Sequence, residues 1–154
     1  MEKKIFTFIL LIFLSSCGYE ATYSVKNTKN YNFSISKLNF IGDREINLKL
    51  KQNLNNYTRE TKDINFTLKI TSTSEKIILA KDAAGDSTNF KIETIVNIDV
   101  FNKEKLKSNF IITESFNYEN NSNKFELKNY EKEIKRNLAD IITEKLIFKL
   151  ANIK

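Results

Sequence analysis

The sequence predicts an α+β fold, a two-layer sandwich in which two helices cover one face of a four-stranded, mostly antiparallel sheet in the order β-α-β-β-β-α. Three observations support this prediction. Apolar and polar residues alternate along three segments in the middle of the chain, as on strands with one buried face. Two other segments carry apolar residues at helical spacing. Short turns separate the alternating segments, which favours antiparallel neighbours.

The first strand and the first helix are predicted on either side of a glycine turn. Residues 33–40 form the strand, with one irregular step near Lys37. Gly42 and Asp43 mark the turn, and Asp43 is a good N-cap for the helix that follows. We place this helix at 44–59, because four apolar residues fall at helical spacing along it. They are Ile46, Leu50, Leu54 and Tyr57.

Three strands form the middle of the domain. They are predicted at 64–71, 90–100 and 110–118. The first could continue, irregularly, through Leu79, and the strands are separated by a loop at 83–87 and a turn at 102–107. The sheet face that points away from the helices is mainly polar. It carries Lys69, Thr71, Lys91, Glu93, Asn97 and Asp99, together with Ile95 and Phe101.

A long helix ends the domain. Asn123 is a candidate cap, with Glu126 three residues later as in a capping box. One apolar stripe runs along the helix. It consists of Leu127, Tyr130, Ile134, Leu138, Ile141 and Ile142. Beyond Glu144 the helix is apolar on nearly every side, at Leu146, Ile147, Phe148 and Leu150, so this end either lies in the core or meets another protein.

The N-terminus has the features of a bacterial export signal. Basic residues precede an almost wholly apolar run at 5–14, which is shorter than the roughly 20 apolar residues of a membrane-spanning helix. The sequence Leu14-Ser15-Ser16-Cys17 follows and resembles the lipobox of bacterial lipoproteins. This resemblance implies cleavage before Cys17, with a diacylglyceryl group on the thiol and an acyl chain on the new amine. The alternative is a buried helix that ends in cysteine.

The lipobox divides the chain into three predicted parts. They are a signal peptide at 1–16, a lipidated tether at 17–32 and a single α+β domain at 33–154. Cys17 is the only cysteine, so no disulfide can form within the chain. Gly18 follows it, where an aspartate would indicate retention in the inner membrane. The resemblance therefore implies an outer-membrane lipoprotein that faces the periplasm.

The composition argues against an enzyme. The chain has no histidine, the commonest general base, and no glycine-rich phosphate loop or nucleophile elbow. We predict no catalytic residues, no metal and no cofactor other than the lipid on Cys17. A hydrolase that uses carboxylates remains an alternative, although Asp82 and Asp86 are more typical of a solvated loop. The net charge of +6 favours anionic partners, and export argues against nucleic acid.

The order of these features resembles the LptE family of lipopolysaccharide-assembly lipoproteins. The resemblance rests on the Cys17-Gly18-Tyr19 start, a hairpin loop at 80–86, an aromatic strand at 115–118 and a last helix with Leu138-Ala139-Asp140-Ile141-Ile142. It implies a protein that plugs the lumen of the outer-membrane β-barrel LptD, helps this barrel to assemble and binds lipopolysaccharide. A free-standing periplasmic lipoprotein that binds another envelope component or a small ligand is the alternative.

The family resemblance also implies basic lipopolysaccharide contacts near one end of the sheet. In this sequence they would be Lys81, Lys91, Lys124 and Lys128. Lysine ammonium groups attract lipid A phosphates as point charges. The hairpin loop and the loop before the last helix lie at the same end of the predicted sheet. The hairpin loop has no arginine, and no extended polar tail follows the last helix, which departs from the family pattern.

Overall fold

The computed structural model describes residues 31–153 and contains seven elements within that range. They are β1 (Phe33–Gly42), α1 (Arg44–Leu54), a 3-10 turn (Asn55–Thr58), β2 (Ile64–Lys81), β3 (Ser87–Asn102), β4 (Lys105–Glu119) and α2 (Lys124–Ala151). The predicted α+β class and element order are confirmed. The predictions for the signal peptide, for Cys17 and for the tether up to residue 30 lie outside the described residues.

The sheet has the strand order β1-β2-β3-β4. The last three strands are antiparallel, as their short connections predict. Strand β1 instead runs parallel to β2, because α1 carries the chain back to the end of the sheet from which β1 started. We call the end with the loop at 82–86 the tip. The opposite end, with the two-residue turn at 103–104 and with Tyr31, is called the base.

The predicted irregular step in β1 is a β-bulge. The pairing register with β2 shifts between Ile35 and Lys37, which leaves Ser36 without a partner residue. The Ser36 hydroxyl donates to the carbonyl oxygen of Phe66 at 3.1 Å. The suggested continuation of β2 through Leu79 is also confirmed, since this strand extends to Lys81.

The core lies between the sheet and the two helices. Its larger part joins α1, the second half of α2 and the helix-facing side of all four strands. A smaller cluster lies nearer the tip. It consists of Phe90, Ile92, Tyr118, Leu127, Ile134 and Leu138. The alternation of the strands predicted these inward positions, because side chains on a strand point to the two faces in turn.

The first helix is shorter than predicted. The α-helix stops at Leu54, and the residues up to Thr58 form a 3-10 turn, so the prediction of one helix over 44–59 was wrong at its end. Tyr57 nevertheless packs inward. Its ring stacks on that of Phe33, with the centroids 5.6 Å apart. The apolar spacing therefore predicted the contact correctly but not the backbone that makes it.

The last helix agrees with the sequence in part. Leu127, Ile134 and Leu138 are buried, whereas two members of the predicted stripe are not: the side chains of Tyr130 and Ile141 are 43% and 41% exposed. At the apolar end, core burial is the observed outcome for three residues. They are Leu146, Ile147 and Leu150. Phe148 is different, because 68% of it is exposed.

The start of the last helix corrects the predicted capping box. Asn123 is the N-cap, and its side-chain oxygen accepts from the backbone N–H groups of Phe125 and Glu126. Glu126 does not return a bond to the cap residue. The N–H of Asn123 donates to the side chain of Asn121 at 2.8 Å, and the same side chain donates to Glu126 at 3.2 Å. Asn121 therefore bridges Asn123 and Glu126, where a capping box would have a direct bond between these two residues.

Asp43 and Gly42 join the end of β1 to the start of α1. One Asp43 carboxylate oxygen caps the helix by accepting from the backbone N–H groups of Glu45 and Ile46 at 2.9 and 3.1 Å. The other lies 2.7 Å from the ammonium group of Lys135 on α2. Gly42 has a φ of 103°, and a Cβ at this position would lie 1.8 Å from the carbonyl oxygen of Ser72. Only glycine fits this turn without moving β2.

We expect Gly42→Ala to destabilise the domain by more than about 3 kcal/mol, because strain at positive φ adds to a backbone collision. Gly85→Ala is the matched control, since Gly85 also has positive φ but its Cβ would meet open space. The control should lose only about 1–2 kcal/mol. Urea unfolding measures both free energies. Equal losses for the two variants would contradict the proposed collision with Ser72.

Candidate functional site

Two loops lie side by side at the tip of the sheet. Asp82 organises the first, because its side chain accepts from the backbone N–H groups of Ala84 and Asp86 at 3.0 and 2.9 Å. The second loop is attached by Asn120. Its backbone N–H donates to the Thr88 carbonyl and its side chain to the Ser87 carbonyl, both at 2.7 Å. The prediction that these loops share one end of the sheet is confirmed.

Three of the four predicted lipopolysaccharide-binding lysines lie near this end. Lys81 is the last residue of β2 and pairs with Ser87 of β3. Lys124 and Lys128 are exposed at the start of α2. Lys91 lies on the other face of the sheet from α2, and its ammonium group is 3.2 Å from the Glu93 carboxylate. The sheet therefore separates Lys91 from the lysines of the helix.

The tip is not uniformly basic. Exposed carboxylates accompany the lysines in both loops and at the start of α2. They are Asp82, Asp86, Glu119 and Glu126. These negative charges weaken the local attraction for an anion, so a phosphate would have to contact individual lysines instead of a broad positive field. Lipopolysaccharide binding by the four lysines stays a prediction.

A polar cluster lies beneath the first half of α2. One Glu131 carboxylate oxygen accepts from the ammonium group of Lys76 at 2.6 Å and from the Tyr118 hydroxyl at 2.7 Å. The same ammonium group stands 3.7 Å from the ring centroid of Phe90, which adds a cation–π contact. The Glu131 side chain is 23% exposed. The cluster therefore ties three strands of the sheet to the helix through charge-assisted bonds.

These contacts change the acid–base properties of the cluster. Burial raises the pKa of Glu131, but hydrogen bonds from Lys76 and Tyr118 and the charges of Lys76 and Lys135 outweigh it, so its pKa lies below the ordinary value. Burial also raises the pKa of Tyr118, and the hydrogen bond to Glu131 and the negative charge of that group raise it further. Glu131 is thus held as a carboxylate and Tyr118 as a phenol, the protonation states of a structural hydrogen bond.

A shallow groove of about 780 Å³ opens beside this cluster. Its lining combines amide, hydroxyl and carboxylate groups with aromatic rings. The residues are Phe116, Asn117, Tyr118, Glu119, Asn120, Asn121, Ser122, Glu126, Leu127 and Tyr130. Such a surface can make hydrogen bonds and ring contacts with a polar ligand. In the part of the chain that the structure describes, no group of three or more His, Cys, Asp and Glu side chains could hold a metal ion.

The sequence analysis missed the polar cluster, although a signal was present. Along the helix-facing side of β2 the residues change from apolar at Leu68 and Ile70 to polar at Ser72 and Lys76. On α2, Glu131 stands one helical turn after Leu127, within the apolar stripe. A lysine and a glutamate on two inward-facing surfaces predict a buried pair, because isolated charges are rarely buried.

The helices cover only one face of the sheet. On the other face a row of paired residues crosses all four strands. From β1 to β4 these residues are Ile41, Thr71, Asn97 and Ile111. Ile95 lies in the next row, between Thr73 and Thr113. The three isoleucines are 55%, 41% and 65% exposed in the order Ile41, Ile95 and Ile111. We call this the open face, a mainly polar surface with a few exposed aliphatic side chains.

Several solved structures share this architecture. Rare lipoprotein B from Shewanella oneidensis has a TM-score of 0.55 and 16% identity, over 75% of this chain and 97% of that chain. A putative lipoprotein from Caulobacter crescentus CB15 has a TM-score of 0.54 and 9% identity, over 74% and 87%. A minor lipoprotein from Acinetobacter baumannii has a TM-score of 0.51 and 15% identity, over 75% and 90%. No family model and no curated protein matches the chain.

These likenesses show a shared fold. Two of these neighbours are named rare lipoprotein B and minor lipoprotein, and the resemblance to the LptE family stays a prediction. All three of these neighbours are lipoproteins by name. Within residues 31–153, neither helix is long and apolar enough to cross a membrane.

The charge state of Glu131 predicts a pH-dependent stability. Because its pKa is lower in the folded chain than in the unfolded one, the carboxylate stabilises the fold above about pH 4.5, and this contribution is lost as the pH falls towards the folded-state value. Glu131→Gln should therefore cost roughly 1–2 kcal/mol at pH 7 and much less at pH 3.

Glu133→Gln is the matched control for this prediction, since Glu133 is an exposed residue of the same helix. Its stability should stay close to that of the unsubstituted chain at both pH values. Urea unfolding at pH 7 and pH 3 measures the three proteins. A loss for Glu131→Gln that is the same at both pH values would show that the ionised form makes no special contribution.

Proposed function

We propose that this protein is an outer-membrane lipoprotein that plugs the lumen of the lipopolysaccharide-translocating β-barrel LptD and helps that barrel to assemble. Acyl chains on Cys17 would hold the domain at the periplasmic surface of the outer membrane. The protein acts by binding and not by catalysis. Lipopolysaccharide would contact the domain during its delivery to the outer leaflet, through Lys81, Lys91, Lys124 and Lys128.

The observation that carries this proposal is the open face. An antiparallel sheet commonly packs one face on the core and exposes the other to solvent. Here the exposed face combines hydroxyl and amide groups with exposed isoleucines. Asn109 shows the character of the surface, because its side chain donates to the side chains of Asn97 and Asp99 at 2.8 and 2.6 Å. The interior of an outer-membrane barrel is polar, so a plug needs a surface of this kind.

The likeness to rare lipoprotein B supports the proposal at the level of the fold. The match covers 97% of that chain, so the whole architecture of the neighbour is present here. The lipobox sequence at Leu14–Cys17 adds the expectation of a lipid anchor from a different part of the chain. Fold and anchor together favour this envelope role over the carboxylate hydrolase.

The second candidate is a free-standing periplasmic lipoprotein that binds another envelope component. The groove between β4 and the start of α2 favours it, because amide, carboxylate and aromatic groups converge there. Its openness to solvent suits a polar ligand better than an apolar one. The two candidates differ in what co-purifies with the protein from membranes.

We expect a large outer-membrane barrel protein to co-purify with the full chain from detergent-solubilised outer membrane. Ile111→Glu should reduce the recovered barrel by at least about tenfold, because it places a charge on the open face at the proposed contact. Leu48→Glu is the matched control, since Leu48 is 54% exposed on α1 and lies on the helix side of the domain. Recovery of the unsubstituted protein without a barrel would contradict the plug role.

The lysines at the tip give a separate prediction about lipid binding. Replacing Lys81 and Lys124 together by glutamate should weaken lipopolysaccharide binding by about tenfold or more, since two attractive charges become repulsive. The double variant Lys51→Glu with Arg59→Glu makes the same change in net charge away from the tip, at two exposed residues. Titration with lipopolysaccharide micelles measures both. Unchanged binding by the tip variant would remove these lysines from the site.

A further inference from the structure

A second groove lies at the base of the domain, at the other end from the predicted lipopolysaccharide contacts. It has a volume of about 590 Å³ and is formed by the first part of β4 and the end of α2. The lining residues are Lys107, Ser108, Phe110, Phe148, Lys149, Asn152 and Ile153. We call this the base groove. Its floor is aromatic and aliphatic, its rim is cationic, and none of its lining residues is acidic.

One apolar side chain of the base groove is highly exposed, while Phe110 and Ile153 are partly buried against the core. Phe148 is 68% exposed, although it lies in the segment of α2 that otherwise packs into the core. Phe110 lies across the groove, with its ring centroid 5.0 Å from the ammonium group of Lys149. Aromatic rings flanked by lysines are the side chains that enter the boundary between lipid head groups and acyl chains.

The charge around the base groove is strongly positive. The residues that line the groove or form the adjoining turn include four lysines and one carboxylate, Glu104. The lysines are Lys103, Lys105, Lys107 and Lys149. Neither Lys107 nor Lys149 forms an ion pair with another described residue. The tip, by contrast, carries as many exposed carboxylates as predicted lysine contacts, so the base groove has the greater local excess of positive charge.

Three carbonyl groups at the end of α2 accept hydrogen bonds. The backbone N–H of Asn152 donates to the Lys149 carbonyl and that of Ile153 to the Leu150 carbonyl, both at 3.2 Å. The Asn152 side chain donates to the Phe148 carbonyl at 2.7 Å. Because these oxygens are already bonded, the negative end of the helix dipole is partly neutralised at the groove.

The base is also the end at which the described chain begins. Tyr31 leads directly into β1, whose first residue pairs with the first residue of β2 at the base. The segment between Cys17 and Tyr31 can span at most about 50 Å, so lipid on Cys17 would hold the base within that distance of the membrane. Strand β2 alone has 18 residues and is about 60 Å long, which sets the tip well away from the base.

We infer that the base groove docks on an anionic phospholipid bilayer while the lipoprotein is free of its barrel. Phe148 enters the head-group boundary, Phe110 lines the floor beneath it, and the lysines contact lipid phosphates. Acyl chains and a basic patch are two signals that together hold a protein on a membrane more firmly than either does alone. The inference rests on the lipid anchor of the proposed function but not on the barrel.

The test uses the purified, acylated full chain in vesicles without any barrel. A fluorescent probe is attached to a cysteine at Ala151→Cys, beside the groove, or at Ala83→Cys, in the tip loop; both alanines are exposed. If Cys17 carries lipid, the introduced thiol is the only one that reacts. The vesicles contain brominated phosphatidylcholine, which quenches a probe in contact with acyl chains, with or without phosphatidylglycerol.

We expect quenching at position 151 to exceed that at position 83 by about threefold or more, and to require phosphatidylglycerol. Introducing Lys107→Glu with Lys149→Glu should reduce the quenching at 151 about tenfold, because cations at an anionic surface become anions. The matched control is Lys124→Glu with Lys128→Glu, which changes the net charge equally at the tip and should leave the quenching at 151 unchanged.

Equal quenching at positions 151 and 83, or equal quenching at 151 without phosphatidylglycerol, would overturn the inference. Mass spectrometry of the same preparation reports the lipid on Cys17 separately. An acylated protein that fails the quenching test contradicts only the docking. A protein that docks but recovers no barrel from membranes contradicts only the plug role.

Discussion

Asp43 links three parts of the fold, through its carboxylate to the two helices and through its backbone N–H to the Ser72 carbonyl of β2 at 3.0 Å. It caps α1, accepts a hydrogen bond from Lys135 on α2, and stands directly after the glycine that lets β1 turn against Ser72 of β2. Burial raises the pKa of Asp43, but the hydrogen bond and charge of Lys135 and the bonds from the backbone of α1 lower it below its ordinary value. The group is therefore ionised where the two helices and the sheet meet. The rest of the architecture depends on this junction, because it sets the direction in which the chain leaves β1.

That direction explains why the sheet is covered on one side only. Helix α1 starts at the junction and carries the chain back across one face, so that β2 can run parallel to β1. Helix α2 packs beside α1 on the same face, where Asn53 of α1 donates to Asp140 and Thr143 of α2 at 2.7 and 3.1 Å. Both helices lie in one layer, and the open face of the sheet stays uncovered. The surfaces with functional potential are thus the open face, the tip and the base.

The sequence predicted the architecture because the strands and helices have clear periods. The alternation from Phe90 to Val100 and the helical spacing of Ile46, Leu50 and Leu54 specify which side chains face inward, and the structure agrees. Errors arose where local and tertiary effects compete. Ile141 fits the stripe of α2, but its neighbours Ala139 and Ile142 take the buried positions there. The end of α1 tightens into a 3-10 turn that brings Tyr57 to Phe33.

The candidate site was less predictable than the fold. Sequence order placed the two tip loops together, and the strand alternation placed Lys91 on the face away from the helices, but these two expectations were not combined to separate Lys91 from the lysines of α2. The pairing of Lys76 with Glu131 joins residues far apart in the chain and could be found only by comparing inward positions of two elements. The sequence analysis did not identify the base groove, because its cations and aromatic rings come from two separate elements, β4 and α2.

The difference in length between β1 and β2 divides the domain into two unequal halves. Pairing between these strands ends at Gly42 and Ser72, and the remaining nine residues of β2 form an edge. The half towards the base has four strands, two helices and the larger apolar cluster, whereas the half towards the tip has three strands and one helix over six buried side chains. Fewer buried contacts mean a smaller free energy of local opening, so amide hydrogens near the tip exchange with solvent before those of the base. A domain whose tip opens more readily than its base can change shape at the tip without unfolding as a whole.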